Sequence, residues 1–66
     1  MKLHTQYLAY FEDKENGVCS YVTMGKRGYS VVLYDLDAED AVSVKMYDLN
    51  KFDFEFVKNQ AFIMLV

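Results

Sequence analysis

Runs rich in Val, Tyr, Phe, Ile and Thr alternate along this chain with short polar interruptions, a pattern that fits pleated, half-buried strands. The interruptions are Glu12–Gly17, which closes on the turn-forming pair Asn16-Gly17, then Gly25–Gly28, then Lys58–Gln60. The runs between them predict strands at Leu3–Phe11, Val18–Met24, Tyr29–Leu36, Ala41–Asp48, Phe52–Val57 and Ala61–Val66. Alternation is sharpest in the fifth, where Phe52, Phe54 and Phe56 would share a dry face and Asp53 and Glu55 a wet one. In the fourth, Val42, Val44 and Met46 would face inward, with Ser43, Lys45 and Tyr47 outward.

This pattern predicts an all-β fold, a small antiparallel meander of five or six strands curled into a half-open barrel. Residues 37–49 also support an alternative. Asp37 followed by Ala38-Glu39-Asp40-Ala41 reads as an N-cap with acidic residues in a first helical turn, which would give an α+β fold with one helix near 38–49. In the strand reading, Asp35–Asp40 is an acidic loop.

The chain has 66 residues, which makes residues 1–66 one domain. Six Tyr and five Phe are more than a single small core should enclose, so some aromatic surface is expected to meet solvent or a partner. The longest apolar run, Ala61–Val66, is far short of a membrane span. The first residues carry no apolar stretch of signal-peptide length, and the expected location is cytoplasmic. A single cysteine, Cys19, forms no intrachain disulfide and reads as a small buried hydrophobe. Together with His4, the only histidine, it is too little for a zinc site.

No catalytic set emerges, and no cofactor or metal is expected. Asp35-x-Asp37-x-Glu39-Asp40 resembles the first half of a calcium loop, but Asp40 stands where glycine is needed and Met46 where a bidentate Glu is needed. A solvated acidic turn fits better. Lys26 and Arg27 sit between two glycines and could make a weak anion contact at a turn. With a net charge of −3, the chain lacks the basic groove of a nucleic-acid binder, so direct nucleic-acid binding is not favoured.

Charge is unevenly placed. Residues 1–34 carry a net +1, whereas Asp35, Asp37, Glu39, Asp40, Asp48, Asp53 and Glu55 against Lys45 and Lys51 give residues 35–55 a net −5. The expected function is therefore a small acidic protein-binding module, an inhibitor or modulator that occupies a surface of a larger partner. That partner could be a nucleic-acid-handling enzyme. The candidate partner-binding residues are Asp35, Asp37, Glu39, Asp40, Tyr47, Asp53 and Glu55, and an apolar strand edge suggests a homodimer. A viral or mobile-element inhibitor is one source that such a composition suits. Two alternatives stand beside it. One is a nucleic-acid mimic using the 35–55 face, and the other is a small single-stranded nucleic-acid-binding barrel using Lys26, Arg27 and exposed Tyr.

Overall fold

A computed structural model of the chain describes residues 7–65. Strands β1 (Ala9–Asp13), β2 (Val18–Met24), β3 (Gly28–Asp35) and β4 (Asp40–Asp48) form one antiparallel sheet in the order β1-β2-β3-β4, followed by helix α1 (Phe54–Ile63). The fold is mostly sheet, as the alternation predicts. Among the described residues it is an open sheet of four strands with one short helix, not a five- or six-stranded half-open barrel. The first strand begins at Ala9, and residues 3–6 of the expected Leu3–Phe11 strand lie outside the described residues.

Residues 38–49, where a helix was the alternative, hold the β3–β4 turn and β4 instead. The helix, Phe54–Ile63, takes up most of the described part of the span read as the fifth and sixth strands. Asp53 is its N-cap, with extended backbone at φ −87°, ψ 170°, and its carboxylate accepts a hydrogen bond from the Phe56 N–H at 2.9 Å. Glu55 lies in the first turn, where the helix dipole favours an anion, and its Oε1 is 3.4 Å from Lys58 Nζ. Lys58–Gln60, read as a turn, is the middle of the helix. The chain has no proline and its last glycine is Gly28, so nothing after β3 breaks a helix.

One face of α1 packs across β1, β2 and β3. Val57 and Ala61 meet Val22, Tyr29 and Val31 in the main core, with Ala9, Phe11, Tyr47, Phe52, Phe54 and Met64 around it. Fully burying a valine contributes about 1.5–3 kcal/mol, so Val22, Val31 and Val57 carry much of a small domain's stability. Ser20, fully buried, donates its hydroxyl proton to the Ala61 carbonyl at 2.6 Å. That carbonyl belongs to the last turn, whose acceptors lack intrahelical donors. The bond pins the end of α1 to β2.

The opposite face of the sheet has a smaller core of Cys19, Val32 and Tyr34, with Tyr21 and Leu36 against it. Tyr7 lies over Tyr10 and Tyr21, its ring centroid 5.3 and 4.5 Å from theirs. A register shift between Leu33 and Tyr34 leaves Val42 as an extra residue in β4, and this bulge turns Ala41 and Val42 toward the Tyr34 side. Gly28 opens β3 at φ 150°, and a Cβ there would run into the Tyr47 carbonyl and lie 2.8 Å from the Leu49 nitrogen.

One expectation about aromatic burial is reversed: Phe56, placed on the dry face of a strand by the alternation, is 43% exposed, and Phe62 is 50% exposed, while Tyr29 and Tyr34 are core residues. Helical geometry rotates residues two apart by about 200°, so Phe54 turns inward while Phe56 lies on the flank against Phe52 and Tyr47. Tyr29 and Tyr34, on opposite faces of β3, bury their rings in the two cores.

Candidate protein-binding surface

Strand register decides where the charges gather. Asp13 pairs with Val18, Val18 with Asp35 and Asp35 with Asp40, so these four residues form the last row across the sheet. The β1–β2 and β3–β4 turns therefore leave from the same end. Leu36 donates its N–H to the Gly17 carbonyl at 2.8 Å, tying the two turns together. Among the described residues, Glu12, Asp13, Glu15, Asp35, Asp37, Glu39 and Asp40 stand at this end against Lys14 alone, a net −6. At the other end Asp48, Asp53 and Glu55 are balanced by Lys26, Arg27, Lys51 and Lys58. The acidic block of residues 35–55 is thus split between opposite ends of the sheet, and its first half is joined by three carboxylates from β1 and its turn.

Several of the candidate partner-binding residues have local structural partners. Asp35 accepts hydrogen bonds from the Asp37 and Ala38 N–H groups at 2.9 and 3.0 Å, which sets the β3–β4 turn. Asp40 accepts from the Ala41 N–H at 2.8 Å. Asp37 and Glu39 are exposed, and Glu39 adopts φ 56°, the left-handed region. Tyr47, placed outward by the sequence pattern, is half-buried on the helix side, edge-on to Phe52 at 5.3 Å. Asp53 is engaged as the helix cap and Glu55 pairs with Lys58, so the two do not form a carboxylate pair along a strand. Asp35, Asp37, Glu39 and Asp40 are brought together, whereas Tyr47, Asp53 and Glu55 lie at the far end. Lys26 and Arg27 sit exposed on the β2–β3 turn.

The inward and outward faces of β4 are the reverse of the sequence reading. Val42, Val44 and Met46 are 60%, 56% and 63% exposed. Val44 pairs with Val32 and Met46 with Ser30, on the sheet face turned away from α1. The helix meets β4 through Tyr47 and Phe56 at its far end, so no described element covers the Val44 side. β4 has one neighbour in the sheet, β3, and its other edge is unpaired among the described residues. The period-two alternation of β4 was visible in the chain. Which of its faces would be dry depends on where α1 packs.

The tyrosines on this face are protected from ionisation. Burial pushes the hydroxyls of Tyr7, Tyr21 and Tyr34 above their ordinary 10.0. Tyr10 is raised for the same reason, reinforced by its hydrogen bonds to Cys19 and to Glu12, the latter at 3.0 Å. Burial also raises the Cys19 thiol, helped by the nearby Glu12 and opposed by the Tyr10 hydroxyl. A fully buried thiol that resists ionisation is a poor nucleophile, and His4 lies outside the described residues. Among the described residues, no group of three or more His, Cys, Asp or Glu is placed to hold a metal ion, and no helix is long and apolar enough to cross a membrane.

A shallow groove of about 490 Å³ runs beside α1 between Phe11, Glu55, Asn59 and Phe62. It is a second apolar surface, on the β1 side of the helix. Comparison with protein-family models, curated proteins and solved structures finds no match to this chain.

Proposed function

We propose that this protein is a binding module that acts by occupying a surface of a larger protein, as an inhibitor or modulator. The observation that carries this reading is the exposed row Val42, Val44 and Met46 on an unpaired sheet edge, next to an end of the sheet with net charge −6. Proteins that do not use such an edge keep it short, charged or covered. An apolar row with a charged margin supplies what a protein interface needs. The apolar centre provides affinity, and the charge speeds encounter and sets specificity.

The acidic end selects a partner with a basic surface, and a nucleic-acid-handling enzyme is one class that presents one. Mimicry of nucleic acid, in this reading, would use Glu12, Asp13, Glu15 and the 35–40 turn rather than residues 35–55 as one face. The free, buried Cys19 fits a reducing, cytoplasmic setting. No catalytic group, cofactor or metal is assigned.

The test compares the immobilised protein with a Val44→Lys/Met46→Lys variant, both shown folded by circular dichroism, in extracts of the cells it comes from. The native chain is expected to retain a protein that the variant does not retain and that 0.5 M salt releases. A variant that holds the same proteins with the same salt response sinks this reading.

A further inference from the structure

The surface just described has a direction, and it defines the kind of segment that would dock there. Every pair in the sheet is antiparallel, and antiparallel ladders are the more stable per residue. β4 is nine residues long, about 26 Å by strand rise, and presents a row of unpaired backbone groups along its outer edge among the described residues. Its two faces differ: Val42, Val44 and Met46 on one, Ser43, Lys45 and Tyr47 on the other. Its two ends differ too, since β4 leaves the acidic end at Asp40 and arrives at Asp48, near Arg27 and Lys51.

We propose, resting on the protein-binding reading, that β4 accepts an extended segment of a partner as a fifth, antiparallel strand, with apolar residues at alternate positions and basic residues at its C-terminal end. Antiparallel docking brings that C-terminal end beside Asp40 and the carboxylates of the 35–40 turn. Apolar side chains on one face then lie against Val44 and Met46, where cross-strand pairs stabilise a sheet. Main-chain bonds to the edge supply affinity, and the alternate side chains supply specificity.

A second copy of this chain fits poorly by the same charges. Antiparallel pairing of two β4 strands about Val44 sets Asp40 against Asp48 twice. Centring on Lys45 opposes two lysines, and centring on Ser43 draws the bulge at Ala41 and Val42 into the ladder. Like charges directly opposite one another destabilise a strand pair, so each of these three registers, the ones that pair at least seven residues of β4, meets one obstacle. A strand with a basic C-terminal end meets none of them.

The probes are fluorescent nine-residue peptides read by anisotropy against the intact protein. One alternates valine and threonine and ends in three lysines, the second is the same sequence reversed, and the third repeats the first with N-methyl groups on alternate backbone amides. The first is expected to bind at least tenfold more tightly than the other two, and to weaken severalfold between 50 and 500 mM salt. Equal binding of the first two peptides, or binding indifferent to N-methylation, overturns strand addition. Failure of all three peptides overturns it as well. If the extract experiment still shows a partner lost on Val44→Lys/Met46→Lys, the protein-binding reading survives that failure. A dimer in sedimentation at tens of micromolar that Val44→Lys dissociates assigns the edge to a second copy and also overturns the proposal.

Discussion

The two outer strands of the sheet manage the same problem in different ways. β1 has five residues, ends in Glu12 and Asp13, and lies partly beneath α1, with Phe11 edge-on to Phe62 at 5.5 Å. β4 has nine residues and a single lysine, and its apolar side chains Val42, Val44 and Met46 are each more than half exposed. The first edge is shortened, charged and half-covered, the devices by which sheets avoid unwanted pairing. The second is longer and uncovered among the described residues, and its charges Asp40, Lys45 and Asp48 leave Val42, Val44 and Met46 exposed between them. β4 is therefore held mainly by its backbone ladder to β3, while β2 and β3 are held by side chains buried under the helix.

That contrast can be broken first at the join. Gly28→Ala should be the most damaging change, costing about 3 kcal/mol or more, because it adds a Cβ against the Tyr47 carbonyl at a φ of 150°. Urea denaturation would measure it. A loss below about 1 kcal/mol would mean that the β3–β4 pairing yields easily. Next, Val57→Ala in the helix-covered half should cost about 2 kcal/mol, whereas Val44→Ala should stay within about 0.5 kcal/mol. Equal losses at the two valines would show that β4 is covered after all.

The Tyr face gives a pH test. For Tyr7, Tyr10, Tyr21 and Tyr34 the folded protein favours the neutral hydroxyl, so their pKa values are raised above 10.0. Stability from this source is fully present below pH 10 and is lost as pH climbs through the raised values. Thermal melts should hold steady from pH 7 to 9 and fall above pH 10, together with tyrosinate absorbance. Full ionisation of these four tyrosines near pH 10 without unfolding would contradict the burial described for this face. The smallest effect is expected at Glu39, whose φ of 56° disfavours a side chain. Glu39→Gly should raise stability by about 0.5 kcal/mol, seen as a slight rise in Tm, and a fall in Tm would show that the contacts Glu39 makes outweigh its backbone strain.

Much of the fold could be read from local pattern. Val18–Met24 is a strand with the expected bounds, the Asn16-Gly17 turn has Gly17 at φ 68°, Asp35–Asp40 is an acidic turn and Cys19 is buried. Each depends on short-range preferences: β-branched alternation, tolerance of positive φ, or the capping reach of an aspartate. The helix was harder to see. Phe52-Asp-Phe-Glu-Phe suits a strand by period two, while Asp53 as cap and Phe54, Val57 and Ala61 at helical spacing suit a helix equally well. Burial of Val57 and Ala61 against Val22 and Val31, distant in sequence, tips the choice.

The candidate surface was less legible still. Alternation in β4 is a local property and was plain, but an alternating strand does not say which of its faces a helix will cover. The grouping of charge is also non-local. Counting along the chain joins Asp35 to Glu55, whereas antiparallel register joins the 35–40 turn to Glu12, Asp13 and Glu15 and sends Asp53 and Glu55 to the opposite end. Residue order carries strand, turn and cap because these depend on neighbours within a few positions. Only the packed sheet and helix set the exposed edge, its polarity and its charged end, because each needs contacts between segments that the chain keeps apart.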